Sequence, residues 1–265
     1  AQAAQSYQNP LAPKQPHFKP RAKRIIFACM RGGPSHVDTF DYKPALAKDN
    51  GKTADGYGKR KLMESPWKFP KRGKSGLEIS ELYPHLAKHA DKMCLLNSMY
   101  GDIPNHPQCF VQLHTGSFQF VRPSLGSWLL YGLGTENQNL PGFISLCPPD
   151  NVGGAQNYGS AFLPAIYQGT RIGNLGQSLK SVQLPNLGND RLDAAAQRRQ
   201  LDLMQALNRE HLAAQGGADN ALQGRIEAME TAYRMQFAAT DAFDISKEPE
   251  KVREAYGKGH FANGC

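Results

Sequence analysis

The sequence predicts an α/β fold: a mostly parallel sheet with flanking helices, plus a helical hairpin in the C-terminal third. Three observations predict it. Short apolar runs at residues 24–29, 93–96 and 143–146 read as buried strands, because runs of strand length without polar alternation need cover on both faces. Between these runs lie segments with apolar residues at helical spacing, and strands alternating with helices point to a parallel sheet. Residues 190–215 and 220–237 then carry two long amphipathic patterns on either side of Gly216-Gly217.

In chain order, residues 1–23 are rich in Gln, Pro and Lys and read as an extended N-terminal arm that wraps over the surface. Residues 24–265 follow as one α/β portion. Arg24-Ile25-Ile26-Phe27-Ala28-Cys29 is its first strand, and Gly32-Gly33 lets the backbone turn sharply after it. Residues 51–76 contain Gly and Pro, lack periodicity and read as a long exposed basic loop. Leu82, Leu86 and Ala90 sit at helical spacing and predict a helix over 78–90, ahead of the strand at 93–96. A second helix runs from Pro107 to Gly116. Asn105 suits its N-cap through the side-chain oxygen, Pro107 its first turn and Gly116 its end. Leu125, Trp128, Leu129 and Tyr131 predict a further helix over 122–132. After the strand at 143–146, residues 147–188 are Gly/Pro/Asn-rich and read as irregular, a length that points to a functional or capping segment. The hairpin over 190–238 is expected to be antiparallel and packed through Leu203, Leu207, Leu222, Ile226 and Tyr233.

Composition narrows the classes. No run in the 265 residues approaches the roughly 18 apolar residues of a membrane helix, so no membrane span is expected. The net charge of +8 is concentrated: residues 43–74 hold ten Lys/Arg against three Asp/Glu. Such a loop either attracts anionic substrates and polyanions or is a solvated surface, and no nucleic-acid fold signature accompanies it. The five cysteines show no CxxC spacing, and Cys29, Cys94 and Cys147 sit in apolar runs as small buried hydrophobes. The start, Ala1-Gln2-Ala3-Ala4, is what signal-peptide cleavage leaves behind, or a simple chain boundary.

Two turns carry the candidate site. His36 and Asp38 follow the first strand and its glycine turn, and ligands of open α/β sheets bind beyond the carboxyl ends of the strands. A His-x-Asp there offers one nitrogen and one hard oxygen to a metal; alternatively Ser35 and Asp38 make local turn hydrogen bonds. Asn105 and His106 follow the second strand and sit at the mouth of a helix, where N–H groups and the dipole attract anions. In a parallel sheet both turns share one edge, so these four residues are expected in one pocket. Arg122, after Phe118-Gln119-Phe120, either holds a sulfate or phosphate bidentately or forms a salt bridge that fixes its loop.

The motifs resemble a known family. The matching stretches are Gly32-Gly33-Pro34-Ser35-His36-Val37-Asp38-Thr39-Phe40-Asp41, Ile79-Ser80-Glu81-Leu82-Tyr83-Pro84-His85-Leu86-Ala87, Pro104-Asn105-His106-Pro107 and Thr115-Gly116. Further along come Arg122-Pro123-Ser124-Leu125-Gly126-Ser127-Trp128, Tyr131-Gly132-Leu133-Gly134-Thr135-Glu136-Asn137 and Phe162-Leu163-Pro164-Ala165-Ile166-Tyr167-Gln168-Gly169-Thr170. Together they resemble an exported bacterial sulfatase-like family of unknown function in the alkaline phosphatase superfamily. The resemblance implies an alkaline phosphatase/sulfatase-like fold, a twin-arginine signal, and a periplasmic or cell-surface location. It also implies that the chain is the N-terminal part of a longer protein, whose remaining C-terminal part carries further strands and metal ligands.

The activity implied is metal-assisted hydrolysis of a sulfate or phosphate ester. A divalent metal ion would be the cofactor, with Asp38 and His36 as its ligands here. The sulfatase Cys/Ser-x-Pro-x-Arg segment has no counterpart, so a formylglycine nucleophile is not implied. Anchoring the helix end on Thr115-Gly116 puts His106 near the nucleophile position, as nucleophile or general acid/base, with Asn105 and Arg122 on the ester oxygens. The alternative is a non-catalytic scaffold or polyanion-binding subunit on a phosphatase-like fold, which the missing Ser/Thr/Cys nucleophile favours.

Overall fold

The computed structural model describes residues 9–56, 58–173, 191–214, 220–242 and 247–256. They fall into two compact units, Arg24–Asp102 and a second made of Ala1–Lys23 with Ile103–Cys265.

The Arg24–Asp102 unit begins with two short helices, α1 (His36–Thr39) and α2 (Pro44–Lys48). Gly32 and Gly33 lie at φ 87° and 65°, left-handed backbone that glycine adopts without strain, and so turn the chain into α1. A small antiparallel hairpin follows, β1 (Lys71–Arg72) and β2 (Leu77–Glu78), with Lys71 opposite Glu78. The Asp91 carboxylate accepts the Ser75 N–H of its turn at 2.8 Å. Gly73 lies at φ 61°, left-handed backbone that favours glycine, and a Cβ there would sit 2.3 Å from the same carboxylate and displace it. A 3-10 helix over Leu86–Lys92 closes a core of buried Ile79, Ala87 and Ala90, with Phe40, Leu77, Tyr83 and Met93 packed against it. The Phe40 and Tyr83 rings stack with centroids 4.9 Å apart, and Ser80 N–H donates to the Thr39 carbonyl at 3.1 Å. Both contacts anchor the α1 turn.

Three expected elements differ in this unit. Residues 24–29 form no strand, and Ile25 and Ile26 are 58% and 90% exposed. Residues 93–96 form none either. An apolar run becomes a strand only where neighbours satisfy its N–H and C=O groups and cover its faces, and no described strand pairs with either run. The helix expected over 78–90 is replaced by turns and the 3-10 helix. Pro84 removes a donor mid-stretch and disfavours helical backbone at the residue before it. Burial accordingly falls on Ile79, Ala87 and Ala90, while Leu82 and Leu86 stay exposed.

In the second unit, α3 (His106–Thr115) and α4 (Leu125–Leu133) precede β3 (Ile144–Leu146). β3 pairs in parallel with β4 (Thr170–Ile172), Ile144 opposite Thr170. Two 3-10 turns, Gly154–Asn157 and Ala165–Tyr167, lie between them. Helices α5 (Ala194–Ala214), α6 (Asn220–Ala242) and α7 (Glu250–Tyr256) follow. The core joins Leu11, Leu130, Ile166 and Tyr167, with Phe143 and Leu163 packed against it. The N-terminal arm thus supplies a core residue: Thr135 N–H donates to the Leu11 carbonyl and Lys14 N–H to that of Leu133, each at 2.9 Å. The three apolar runs therefore yield one strand, β3, whose neighbour β4 comes from a stretch expected to be irregular. The described residues combine helix with two small sheets of two strands each, one antiparallel and one parallel.

α5 and α6 pack antiparallel. Tyr233 Oη donates to the Ala194 carbonyl, Arg198 pairs with Glu230 at 2.9 Å, and Gln205 Nε2 donates to the Ile226 carbonyl at 3.0 Å. The expected packing stripe shifts: Leu203 and Leu207 are 64% and 58% exposed, while Leu201 and Gln205 are buried. The Gly216-Gly217 break, Asp190, the Phe237 side chain and residues 1–8, 174–188 and 258–265 lie outside the described residues. No helix among the described residues is long and apolar enough to cross a membrane.

Candidate functional site

The α1 turn is built by local bonds. Asp38 N–H donates to the Ser35 carbonyl at 3.2 Å, Thr39 Oγ1 to the same carbonyl at 2.9 Å, and Asp41 N–H to that of His36 at 2.9 Å. The arrangement leaves His36 exposed and Asp38 half-buried. The Ser65 hydroxyl, with the Ser35 hydroxyl second, donates to the Asp38 carboxylate and holds it below the usual carboxylate range. The local turn bonding that the sequence allows at Ser35 and Asp38 is therefore present, and Ser65 adds a donor from the basic segment. One turn on, Asp41 is buried, with Lys43 Nζ at 2.7 Å and Asn97 Nδ2 at 3.1 Å. Lys43 contributes most to keeping it ionised. Asp41, Ser65 and Asn97 are the residues that sequence reasoning misses. Asp41 stands within the quoted motif, but its Asn97 partner and the Ser65 contact are long-range and leave no local signal.

Asn105, His106 and Arg122 belong to the other unit. Asn105 is the N-cap of α3 with extended backbone, yet its side chain makes no cap hydrogen bond, contrary to expectation. His106 is the first helical residue and exposed. Gly116 ends the helix as expected, at φ 76°, its N–H donating to the Gln112 carbonyl at 2.7 Å. On the same helix the Cys109 thiol is turned onto the Ile103 carbonyl. Arg122 is exposed and lies over the Phe120 ring, 5.8 Å from its centroid. That contact is a cation–π one, and among the described residues Arg122 forms no loop salt bridge of the kind its sequence position allowed.

Asp38 and His36 are the donor types a divalent ion accepts. Catalytic zinc-type centres use about three protein ligands. Among the described residues no three His, Cys, Asp or Glu side chains gather. The described residues therefore do not by themselves fit a metal centre.

No curated protein and no solved structure matches the chain. A family described as "protein of unknown function (DUF1501)" matches residues 22–265, nearly the whole sequence, and the chain belongs to that family.

Proposed function

We propose that this chain serves an exported bacterial hydrolase of sulfate or phosphate esters, built on an alkaline phosphatase-like α/β fold. One observation carries the reading: the α1 turn sets the Asp38 carboxylate, fixed by hydroxyls of Ser65 and Ser35, two residues from an exposed imidazole at His36. In this reading Asp38 and His36 supply two metal ligands, and the others come from outside the described residues. His106 acts as nucleophile or general acid/base, and exposure at the mouth of α3 supports that role. The Asn105 amide is not spent on capping, and with Arg122 it binds ester oxygens. The motifs resembling the sulfatase-like family support the same reading. A second reading, a non-catalytic scaffold or polyanion-binding subunit, is favoured by the ten Lys/Arg of residues 43–74 and by the lack of a three-ligand group among the described residues.

The test is elemental analysis and turnover of 4-nitrophenyl sulfate and 4-nitrophenyl phosphate by the full-length protein. Bound divalent metal and hydrolysis of one ester are expected. Asp38→Ala should remove most of both, and His106→Ala most of the turnover alone. A protein that neither binds metal nor cleaves either ester, or an Asp38→Ala variant with full metal content and turnover, would overturn the hydrolase reading and leave the scaffold in its place.

A further inference from the structure

We infer that the cleft beside α1 and α2 is a binding site for a sugar ring carrying an anionic substituent. It rests only on the anionic-ligand part of the reading above, and its assay measures binding, so a failure of hydrolysis and a failure of this cleft read separately.

The cleft has a volume of about 430 Å³, within the range of small-ligand pockets, and lies wholly in the Arg24–Asp102 unit. Its walls combine an aromatic surface with two ammonium groups and a carboxylate: Tyr42, Phe69 and Trp67, then Lys43, Lys68 and Glu64. Tyr42 and Phe69 stack with centroids 5.0 Å apart and planes 22° from parallel, so each ring fixes the other in the cleft wall. Trp67 is 43% exposed, large for an indole in a folded unit. The negative face of an aromatic ring attracts the polarised C–H groups on the apolar face of a sugar.

The polar groups are placed by the backbone around them. Lys68 N–H donates to Glu81 Oε1 at 3.2 Å, and its carbonyl accepts Glu81 N–H at 3.0 Å, so the Trp67-Lys68-Phe69 stretch is clamped on both sides. Lys43 is tied to Asp41 at 2.7 Å, whereas the Lys68 ammonium makes no ion pair among the described residues and is the group left for an anion. Glu64 is held through Asn50, which donates Nδ2–H to Glu64 Oε1 at 3.1 Å and accepts the Glu64 N–H at 3.2 Å. Its second carboxylate oxygen is an acceptor for sugar hydroxyls. The mixed rim suits a ring that can turn its anionic group to Lys68 and its hydroxyls to Glu64, whereas a DNA backbone with a phosphate at every residue has no hydroxyl to offer the carboxylate.

The chain contains two tryptophans. The full chain with Trp128→Phe therefore makes Trp67 the single indole reporter. The probes are a sulfated galactan tetrasaccharide, its desulfated counterpart, a polygalacturonate tetrasaccharide and oligo-dT. A saturable change in Trp67 emission is expected with at least one anionic sugar, and which one responds separates sulfate from carboxylate. Lys68→Gln should weaken that binding about fivefold, the scale of one exposed charge contact. Lys92→Gln, on the 3-10 helix and away from the cleft lining, should leave it unchanged. No emission change with either anionic sugar would overturn the proposal. So would equal binding of the desulfated sugar or of oligo-dT, or equal weakening by Lys92→Gln.

Discussion

Replacing Gln205 or Leu207 by alanine separates two descriptions of the α5–α6 hairpin. Amphipathic spacing makes Leu203 and Leu207 the buried face, and Leu207→Ala would then cost several kcal/mol. In the structure Leu207 is 58% exposed, so the cost should be within about 0.5 kcal/mol, as for an ordinary surface position. Gln205 has no exposed surface and donates Nε2–H to the Ile226 carbonyl at 3.0 Å and to Glu230 Oε1 at 3.3 Å. The Ile226 carbonyl keeps its own helical donor, the Glu230 N–H, so what is lost is the buried hydrogen bonding, chiefly to the Glu230 carboxylate, at roughly 1.5–3 kcal/mol, and the lost methylene adds about 0.8 kcal/mol. Gln205→Ala should therefore cost about 2–4 kcal/mol. Gln205→Met keeps most of the volume, so it should retain about 1.5–3 kcal/mol of that loss, the part due to the lost hydrogen bonds. Urea denaturation followed by far-UV circular dichroism, with the slope checked for constancy, measures all three variants. A Leu207→Ala loss equal to that of Gln205→Ala would refute the polar interface.

Two further outcomes follow from single contacts. In α4 a Cβ on Gly126 would fall 2.4–2.5 Å from the Phe143 ring, whereas one on Gly132 meets nothing within 4 Å. Gly126→Ala should destabilise by about 1–3 kcal/mol through overpacking, and Gly132→Ala should be neutral or stabilising by up to about 1 kcal/mol; paired thermal melts check the contrast. Burial lowers the pKa of His114 from its ordinary 6.5, with the Phe110 carbonyl at 2.8 Å opposing the shift in part. The folded state then binds fewer protons than the unfolded one, so this stabilising contribution is complete above pH 6.5 and is lost as pH falls through the lowered value. Melting temperature should drop on acidification through that window, and His114→Gln should flatten the drop; an unchanged slope would remove His114 as its source.

Helices were legible where their determinants are local. Pro107 and Gly116 sit where the ends of α3 demand them, and Gly116 takes the left-handed conformation a helix terminus uses. The sequence bounds of α4, α5 and α6 come close for the same reason. Strands depend on partners distant in the chain. Residues 24–29 and 143–146 look alike as apolar runs, but only the second meets a partner, and that partner, Thr170–Ile172, carries no apolar run of its own. The arm shows the same limit from the other side: Leu11 reads as one residue of a polar tail, and it is core because Leu130, Ile166 and Tyr167 leave a place for it.

The candidate site divides along the same line. His36 and Asp38 are legible because a glycine pair and three neighbouring residues make the turn. What makes Asp38 a held anion is chiefly a hydroxyl from Ser65, and Asp41 is held first by the Lys43 ammonium and then by an amide from Asn97. Ser65 comes from the segment that sequence reading treats as a loop, and Asn97 lies just past the strand expected at 93–96. The basic segment is the sharper case. Counting charge over residues 43–74 describes a field, which attracts any anion, whereas the fold sets the contiguous Glu64–Phe69 stretch against Tyr42 and Lys43 in one cleft, a juxtaposition that, in the inference above, discriminates among anions. Specificity in this region therefore resides in which residues the fold brings together, and net charge alone bears only on the rate at which an anion arrives.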